Sequence, residues 1–344
     1  MTRPGTAGSC AWSVLLRAAA GAGLCGALLG LSGLGGVQAA QRPANQSAAP
    51  ALRVLKVRDN VFMISGAGGN ITVLTFAQGV LMVDTGLPEM ADQVLATIRQ
   101  LSSRPVAHII NTHVHGDHVG GNETIARNGR RIPVDVIASD AAGAPEGPMI
   151  VAHENVARGM SVSSGNQPAA PLRAWPTDTY RRESKKLSVN FRGGEAVQLF
   201  YEPAAHTDGD SIVWFRHADV IMTGDLFTTT NYPVIDLARG GTINGVVAAL
   251  NHVLAIAFPA YRSEGGTMIV PGHGRLSDSA DVGYYRDMVT IIRDRVQDLI
   301  NKGMTLDQVK AAKPTRDYDP RYGSTSGTDI FVEAVYKTLG ATKK

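Results

Sequence analysis

The densest group of reactive side chains lies in residues 111–118, which read NTHVHGDH. In an extended segment residues i and i+2 point the same way, so His113 and His115 can face one metal ion together. A glycine then lets the chain turn, after which Asp117 and His118 can project toward a second ion. Bare imidazoles packed this closely would repel one another on protonation, and a bound metal removes that cost. The alternative, a chance His-rich surface loop, is disfavoured because the cluster directly follows an apolar run.

Cysteine is excluded as a metal ligand by its position in the chain. Cys10 and Cys25 are the only cysteines, and both lie in residues 1–40, which have the three parts of a secretory signal peptide. Residues 1–17 contain two arginines and no acidic residue. A short apolar stretch follows, and the region ends in a small–x–small sequence at 37–39. Any metal in the mature protein must therefore be held by imidazole and carboxylate.

The same region predicts where the protein is found. We expect cleavage near Ala39 or Ala40, a linker at 41–51, and an exported protein, periplasmic or secreted. The alternative, an N-terminal membrane anchor, is disfavoured because the apolar stretch falls short of the ~20 strongly apolar residues that a spanning helix needs. We therefore expect no stable membrane insertion after cleavage.

The composition fits a folded domain without a polyanionic partner. The chain has 344 residues, of which 44% are hydrophobic and 18% charged, and this is too apolar for a disordered protein. Without residues 1–40 the chain has 31 Lys and Arg residues and 30 Asp and Glu residues. Because these charges balance and the sequence has no basic runs, it indicates no positively charged surface for binding nucleic acid. The expected partner is a small-molecule substrate, and the sequence leaves the oligomeric state open.

Short β-strands and a few helices are predicted to position the reactive residues. Apolar runs between turn signals predict strands at 52–57, 60–65, 71–76, 79–84, 106–110, 134–138, 187–191, 197–201, 211–215, 220–223 and 267–270. Helical spacing predicts helices at 89–101, 150–160, 244–257, 280–301, 306–312 and 330–339. Residues 161–186 show little periodicity and predict a long surface excursion.

This order of elements indicates an α/β protein with two layers of sheet. Two β-rich halves are each followed by helices, which suggests two sheets packed face to face with helices outside. We expect one catalytic domain at 52–278 and a C-terminal helical extension at 279–344 packed on the same domain.

Several motifs in order resemble the metallo-β-lactamase superfamily. Residues 113–118, HVHGDH, resemble its H-x-H-x-D-H signature. The other matching stretches are LMVDTG at 81–86, AHTDGD at 205–210, TGD at 223–225 and PGHG at 271–274. The resemblance covers about residues 55–275 and implies a four-layer αββα sandwich, here with extra C-terminal helices.

The resemblance also implies two adjacent metal sites. The residues implied for the first site are His113, His115 and His206, and those for the second are Asp117, His118 and His273, with Asp225 bridging both. Imidazole and carboxylate ligands suit Zn²⁺, so we expect two zinc ions per chain. Iron or manganese would fit the same ligands, because affinity order alone does not choose a metal in a cell.

Residues beside these motifs allow two interpretations each. Asp84 resembles an aspartate that orients a ligand histidine, but it can equally close a turn before Thr85 and Gly86. Tyr232, Asp236 and Arg239 are candidates to line the pocket, with loop structure as the equal alternative. The remaining histidines have simpler explanations in strands, turns and helices, and we exclude as ligands His108, His153, His217 and His252.

Together these features predict a binuclear metal-dependent hydrolase that uses a metal-activated hydroxide, with Asp117 as the catalytic residue that orients it. Expected substrates are small amides, lactones or esters, with β-lactams among the candidates. Asp225 moves the chain away from β-lactamases with the H-x-H-x-D-H motif, which typically lack a bridging aspartate. The alternatives are a periplasmic metal-binding or relay protein that accompanies a redox system, and a glyoxalase II-like thioesterase.

Overall fold

The structure is a computed structural model that describes residues 51–132, 146–165, 167–189, 194–260, 265–324 and 326–340. The expected signal peptide, nearly all of the linker and the predicted strand at 134–138 lie outside the described residues. Every described residue belongs to one compact unit, Ala48–Lys344. Among the described helices, none is long and apolar enough to cross a membrane.

The first sheet has seven strands within the described residues, arranged in chain order. They are β1 (Arg53–Arg58), β2 (Val61–Ser65), β3 (Ile71–Thr75), β4 (Val80–Val83), β5 (Val106–Ile110), β6 (Met149–His153) and β7 (Asp178–Tyr180). Strands β1 to β4 pair antiparallel, and β4 to β7 pair parallel. The carboxyl ends of β4 and β5 therefore meet at one edge of this sheet.

The second sheet has five described strands in the order β12-β11-β10-β9-β8. They are β8 (Ser184–Val189), β9 (Glu195–Glu202), β10 (Asp210–Phe215), β11 (Val220–Met222) and β12 (Met268–Val270). All neighbours pair antiparallel except β11 and β12, which are parallel. The carboxyl ends of these two strands lie together, as in the first sheet.

The helices of the described residues cover the outer faces of both sheets. They are α1 (Ala91–Leu101), α2 (Gly116–Val119), α3 (Asn122–Asn128), α4 (Glu154–Met160), α5 (Ile243–Ile256), α6 (Ser279–Asn301), α7 (Leu306–Ala311), α8 (Asp319–Tyr322) and α9 (Gly327–Gly340). Helices α1 and α3 pack on the first sheet, whereas α5, α6 and α9 pack on the second. The fold is therefore the expected α/β class, with the four layers αββα and extra C-terminal helices.

Strand β4 shows why the layers form. All four of its side chains are buried, because each face of the first sheet is covered. Leu81 and Val83 pack between the two sheets, whereas Val80 and Met82 pack under α1. A strand buried on both faces has a continuous apolar sequence rather than an alternating one.

One predicted helix, at 150–160, was wrong. Residues 150–160 are not one helix, because β6 occupies Met149–His153 and the helix α4 begins only at Glu154. The strand pairs in parallel with β5, and its four residues Ile150–His153 are all buried. A short apolar run of this kind cannot be told from a buried helix by periodicity alone.

The predicted excursion at 161–186 was also partly wrong. It contains β7 and the start of β8, which lie at the edges of the two sheets among the described strands. Their sequences, DTY and SKKLSV, are polar. An edge strand is half solvated and does not need the apolar pattern from which strands were predicted. The short helices α2 and α3 were not predicted either.

Among the C-terminal helices, α6, α7 and α9 follow the sequence prediction closely, whereas the short α8 was not predicted. Helix α6 ends before Gly303, whose φ of 77° is in the left-handed region that ends many helices. It packs against α5 and α9 in one apolar cluster. The boundary between a catalytic domain and a helical extension at residue 278 stays a prediction.

Candidate metal centre

The residues with metal-ligand chemistry lie where strands end. Asp84 follows β4, and residues 111–118 follow β5. His206 follows β9, Asp225 follows β11 and His273 follows β12. Because the two parallel strand pairs bring their carboxyl ends to the same side of the sandwich, residues separated by up to 189 positions in the chain converge.

The structure brings together the residues predicted for the first metal site. Ligand atoms of four side chains lie within 4.8 Å of one another, those of His113, His115, His206 and Asp225. We call the three histidines the first group, and we describe Asp225 separately below. His206 Nε2 lies 2.8 Å from His115 Nδ1, and Asp225 Oδ2 lies 3.7 Å from His206 Nε2.

The residues predicted for the second site also converge. Ligand atoms of Asp117, His118 and His273 lie within 4.8 Å of one another, and we call these residues the second group. His273 Nε2 is 3.2 Å from Asp117 Oδ2 and 3.4 Å from His118 Nε2. The turn that separates Asp117 from His115 is the start of α2, and His115 is the residue that caps it in an extended conformation.

Asp225 lies between the two groups and presents one oxygen to each. Its Oδ2 is 4.0 Å from His113 Nε2 in the first group. Its Oδ1 is 3.2 Å from His118 Nε2 and 3.4 Å from His273 Nε2 in the second. This is the position that the expected bridging role requires.

In the first group, each imidazole is held by a hydrogen bond on the ring nitrogen that faces away from the other ligands. His113 Nδ1 lies 3.0 Å from the Thr112 hydroxyl. His115 Nε2 lies 2.8 Å from Asp236 Oδ2. His206 Nδ1 donates to the Val234 carbonyl at 2.7 Å. These contacts leave Nε2 of His113, Nδ1 of His115 and Nε2 of His206 facing one another, as the ligand atoms of a cation site would.

Asp84 both bends the chain and contacts a predicted ligand histidine, the two roles that the sequence suggested for it. Its φ of 63° shows that it bends the chain after β4. Its buried carboxylate accepts hydrogen bonds from Thr112 N at 2.8 Å and from the Thr112 hydroxyl at 2.7 Å. It also lies 2.8 Å from His118 Nδ1. Asp84 therefore contacts a predicted ligand of the second group directly and His113 of the first group through Thr112.

The donor set fits a metal ion such as zinc. His113 Nε2 is buried and makes no hydrogen bond to any described residue. A buried polar atom without a partner is costly, and a bound cation would remove that cost. Imidazole nitrogens and carboxylate oxygens are also the ligands that catalytic zinc sites use.

The electrostatic environment differs between the groups. Burial, reinforced by the neighbouring imidazoles of His118 and His206, lowers the pKa of His113 well below its usual value. Burial alone would also lower the pKa of His118, but Asp225 and Asp84 raise it well above that value. For His273, burial is likewise outweighed by hydrogen bonds with Asp117 and Asp225, which raise its pKa to about 9.

Three residues that the sequence suggested for the pocket have other contacts. Asp236 holds His115, a role that its place in the segment 231–241 did not reveal. Tyr232 is only 3% exposed, and its hydroxyl donates to Asp319 Oδ1 at 2.9 Å, away from the ligand atoms. The half-buried Arg239 places Nε 3.6 Å from Asp236 Oδ2.

The four histidines that were excluded as ligands belong to neither group among the described residues. His108 lies in β5, and His153 stacks on Tyr201 with ring centroids 3.7 Å apart. His252 lies 2.6 Å from Glu202 Oε1. His217 donates its backbone N–H to Glu195.

Comparison with known proteins gives a family match over most of the described chain. The sequence model of the family described as the metallo-beta-lactamase superfamily matches residues 65–280. A linear primary-alkylsulfatase from Pseudomonas sp. (strain ATCC 19151) is 25% identical over 261 residues, which are 67% of this chain and 47% of the relative. The chain thus spans about half the length of that relative.

Other relatives agree on the fold. A metallo-beta-lactamase type 2 from Bacillus sp. (strain 170) is 21% identical over 272 residues, which are 74% of this chain and 92% of the relative. The solved structure of the inverting sec-alkylsulfatase Pisa1 from Pseudomonas sp. has a TM-score of 0.60 at 17% identity, covering 83% of this chain and 50% of that one. A metallo-beta-lactamase from Pontibacter korlensis has a TM-score of 0.50 at 18% identity, covering 70% and 99%.

Proposed function

As this chain belongs to the metallo-β-lactamase superfamily, we propose that it is an exported hydrolase with two zinc ions, one at each ligand group. The observation that carries the proposal is the position of Asp225, whose two carboxylate oxygens face different groups. Export is proposed from the signal-like residues 1–40.

Two bound cations would supply Lewis-acid polarisation of the scissile bond and activation of water at neutral pH. The chain's own contribution is to hold the ligand atoms in a fixed arrangement. Thr112, Asp236 and the Val234 carbonyl orient the imidazoles of the first group, and Asp84 orients His118. This preorganisation leaves little reorganisation for the reaction itself.

Asp117 is proposed as the residue that moves a proton. Its side chain is 32% exposed, more than those of Asp225 or His118. Although burial alone would raise it, the pKa of Asp117 is lowered by the hydrogen bond with His273 and by the charge of His118. Asp117 Oδ2 faces His118 and His273, so the other oxygen of the ionised carboxylate, Oδ1, can orient an attacking water, take its proton and return it to the leaving group.

The substrate proposed is a small ester, lactone or amide, with β-lactams included. The alkylsulfatase relative adds sulfate esters to the ester class, and the β-lactamase relatives keep the amide class. Asp225 favours an ester substrate over a β-lactam, because β-lactamases with this histidine motif typically lack such an aspartate.

The test is a substrate panel with the mature, zinc-loaded protein. The panel contains nitrocefin, a lactone, a thioester, a phosphodiester and an alkyl sulfate, each measured before and after treatment with chelator. Turnover that chelator abolishes and zinc restores is the expected result. A thioester preference would favour the glyoxalase II-like alternative.

A variant separates the metal centre from the activity. His115→Ala removes one ligand of the first group and should lower the metal content of the protein, measured by elemental analysis. His217→Ala serves as the matched control, because His217 belongs to neither group. If the protein holds metal but no substrate of the panel is turned over, the hydrolase proposal is wrong and a relay role accompanying a redox system is favoured.

A further inference from the structure

Two of the three groups that hold the imidazoles of the first group lie in one short segment, residues 227–236, which follows Asp225. The Val234 carbonyl holds His206, and the Asp236 carboxylate holds His115. At its other end, Thr229 N donates to the His273 carbonyl at 3.2 Å. A shift of this segment would therefore move partners of predicted ligands in both groups.

The middle of this segment is attached to the C-terminal helices. The Tyr232 hydroxyl donates to Asp319 Oδ1 at 2.9 Å and lies 3.2 Å from the Thr315 carbonyl. The Tyr285 hydroxyl donates to the Asn231 carbonyl at 3.1 Å. Loop segments usually have few fixed contacts, whereas this one is bound to three separate points beyond residue 280.

Aromatic packing reinforces the attachment. The Tyr232 ring is stacked on Phe331 of α9, with centroids 5.0 Å apart and planes 6° from parallel. At the start of the segment, Phe227 packs edge-on against Tyr285 of α6 at 5.2 Å. Both tyrosines are buried, so their rings and hydroxyls have little freedom to move.

All of these contact residues of the helices lie beyond the part of the chain that the family matches, which ends at residue 280. We infer that Tyr232 is a positioning residue for the metal centre, and that the C-terminal helices, through it, form part of the functional site. The inference rests on the metal centre of the proposed function. It gives the helices a role that the family resemblance does not provide.

The test is a titration of the metal-free mature protein with cobalt(II) alone, followed by its absorption bands and by competition with a chelating dye. Tyr232→Phe keeps the stacked ring and removes only the hydroxyl. We expect cobalt binding at the first group to weaken roughly 5- to 10-fold, at or below the 10–100-fold that loss of a ligand's own hydrogen-bond partner typically costs. Asp319→Ala should weaken it in the same direction, because Asp319 anchors that hydroxyl.

Tyr336→Phe is the matched control. Its hydroxyl also joins the C-terminal helices to a loop, donating to the Met304 carbonyl at 3.2 Å, but it does not touch the 227–236 segment. Both tyrosine variants should lower the melting temperature by a similar few degrees, about 2–4 °C. Only Tyr232→Phe should change cobalt affinity and the absorption bands, which a merely structural role would not do.

The outcomes separate the two proposals. Equal cobalt affinities of Tyr232→Phe and Tyr336→Phe would overturn the positioning role. Weakened binding in Tyr232→Phe with unchanged binding in Asp319→Ala would overturn the part assigned to the C-terminal helices. If the unsubstituted protein itself binds no cobalt, the proposed function fails, and the positioning role fails with it.

Discussion

The two ligand groups share their chemistry but differ in how firmly the protein holds them. In the first group all three imidazoles have a hydrogen bond on the far ring nitrogen. In the second group His118 is buried and held by Asp84, but His273 and Asp117 are each 32% exposed. Among the described residues no hydrogen bond to His273 Nδ1 is present.

This difference separates a rigid cation site from an accessible one. Ligands that are already oriented lose little freedom on binding, so the first group should bind its metal more tightly. The second group is nearer to solvent and contains Asp117, the proposed proton carrier. On the proposed role of Asp117, the group nearer to the reaction would be the one with more freedom.

The largest effect should come from removing the residue that the two groups share. Asp225→Ala takes one ligand atom from each group, so metal affinity should fall at both by more than about 100-fold, beyond the usual cost of losing a ligand's hydrogen-bond partner. Turnover should fall to background. Elemental analysis and activity measure this, with Asp59→Ala, whose carboxylate is fully exposed, as the control. Loss of metal at one group alone would show that Asp225 does not bridge.

Asp117→Asn should separate chemistry from metal retention. The amide keeps the size of the side chain and an oxygen, so much of the metal should remain, but it cannot accept a proton. Turnover should fall by about 10²- to 10⁴-fold, the typical contribution of a general base. Full activity at verified metal content would refute the proposed role of Asp117 and remove the functional distinction between the groups.

Asp236 and Asp84, which orient imidazoles, should differ in how many ligand groups they affect. Asp236→Asn should weaken metal binding at the first group by about 10- to 100-fold and leave the second group unchanged. Asp84→Asn should weaken both, because Asp84 contacts His118 and Thr112. Asp219→Asn, which weakens an aspartate–threonine hydrogen bond elsewhere, is the control. Equal effects of both variants on both groups would remove the distinction.

The mildest perturbation is a change of pH, which should act unequally on metal binding at the two groups. With a pKa of about 9, His273 carries a proton below that pH, and a cation must displace it. Affinity at the second group should therefore fall by about tenfold for each unit of pH below 9 and each proton displaced. The first group should depend on pH less, because the pKa of His113 is lowered. Calorimetry in buffers of different ionisation enthalpy counts the protons released, and identical counts for both groups would contradict this.

Local sequence predicted well those elements whose burial leaves a pattern. Strand β5 was predicted with its observed bounds, Val106–Ile110, and α6 differs by one residue at its start. The prediction failed at β6, a short apolar run that leads directly into α4 and was merged with it, and at β7 and the start of β8, where a half-solvated edge permits polar residues. At the edge strands the deciding fact was which neighbour covers the strand.

For the metal centre, the amino-acid sequence by itself determined the ligand types and their places at strand ends. A short motif contains this information, because neighbouring residues in an extended segment and the following turn have fixed relative directions. Only the tertiary structure decided which ring nitrogen faces the centre, that Asp236 and Tyr232 support it, and that the two groups differ in exposure. These features depend on contacts between residues far apart in the chain, such as His115 and Asp236, which are 121 positions apart. Only the packing of the sheets and helices brings such residues together.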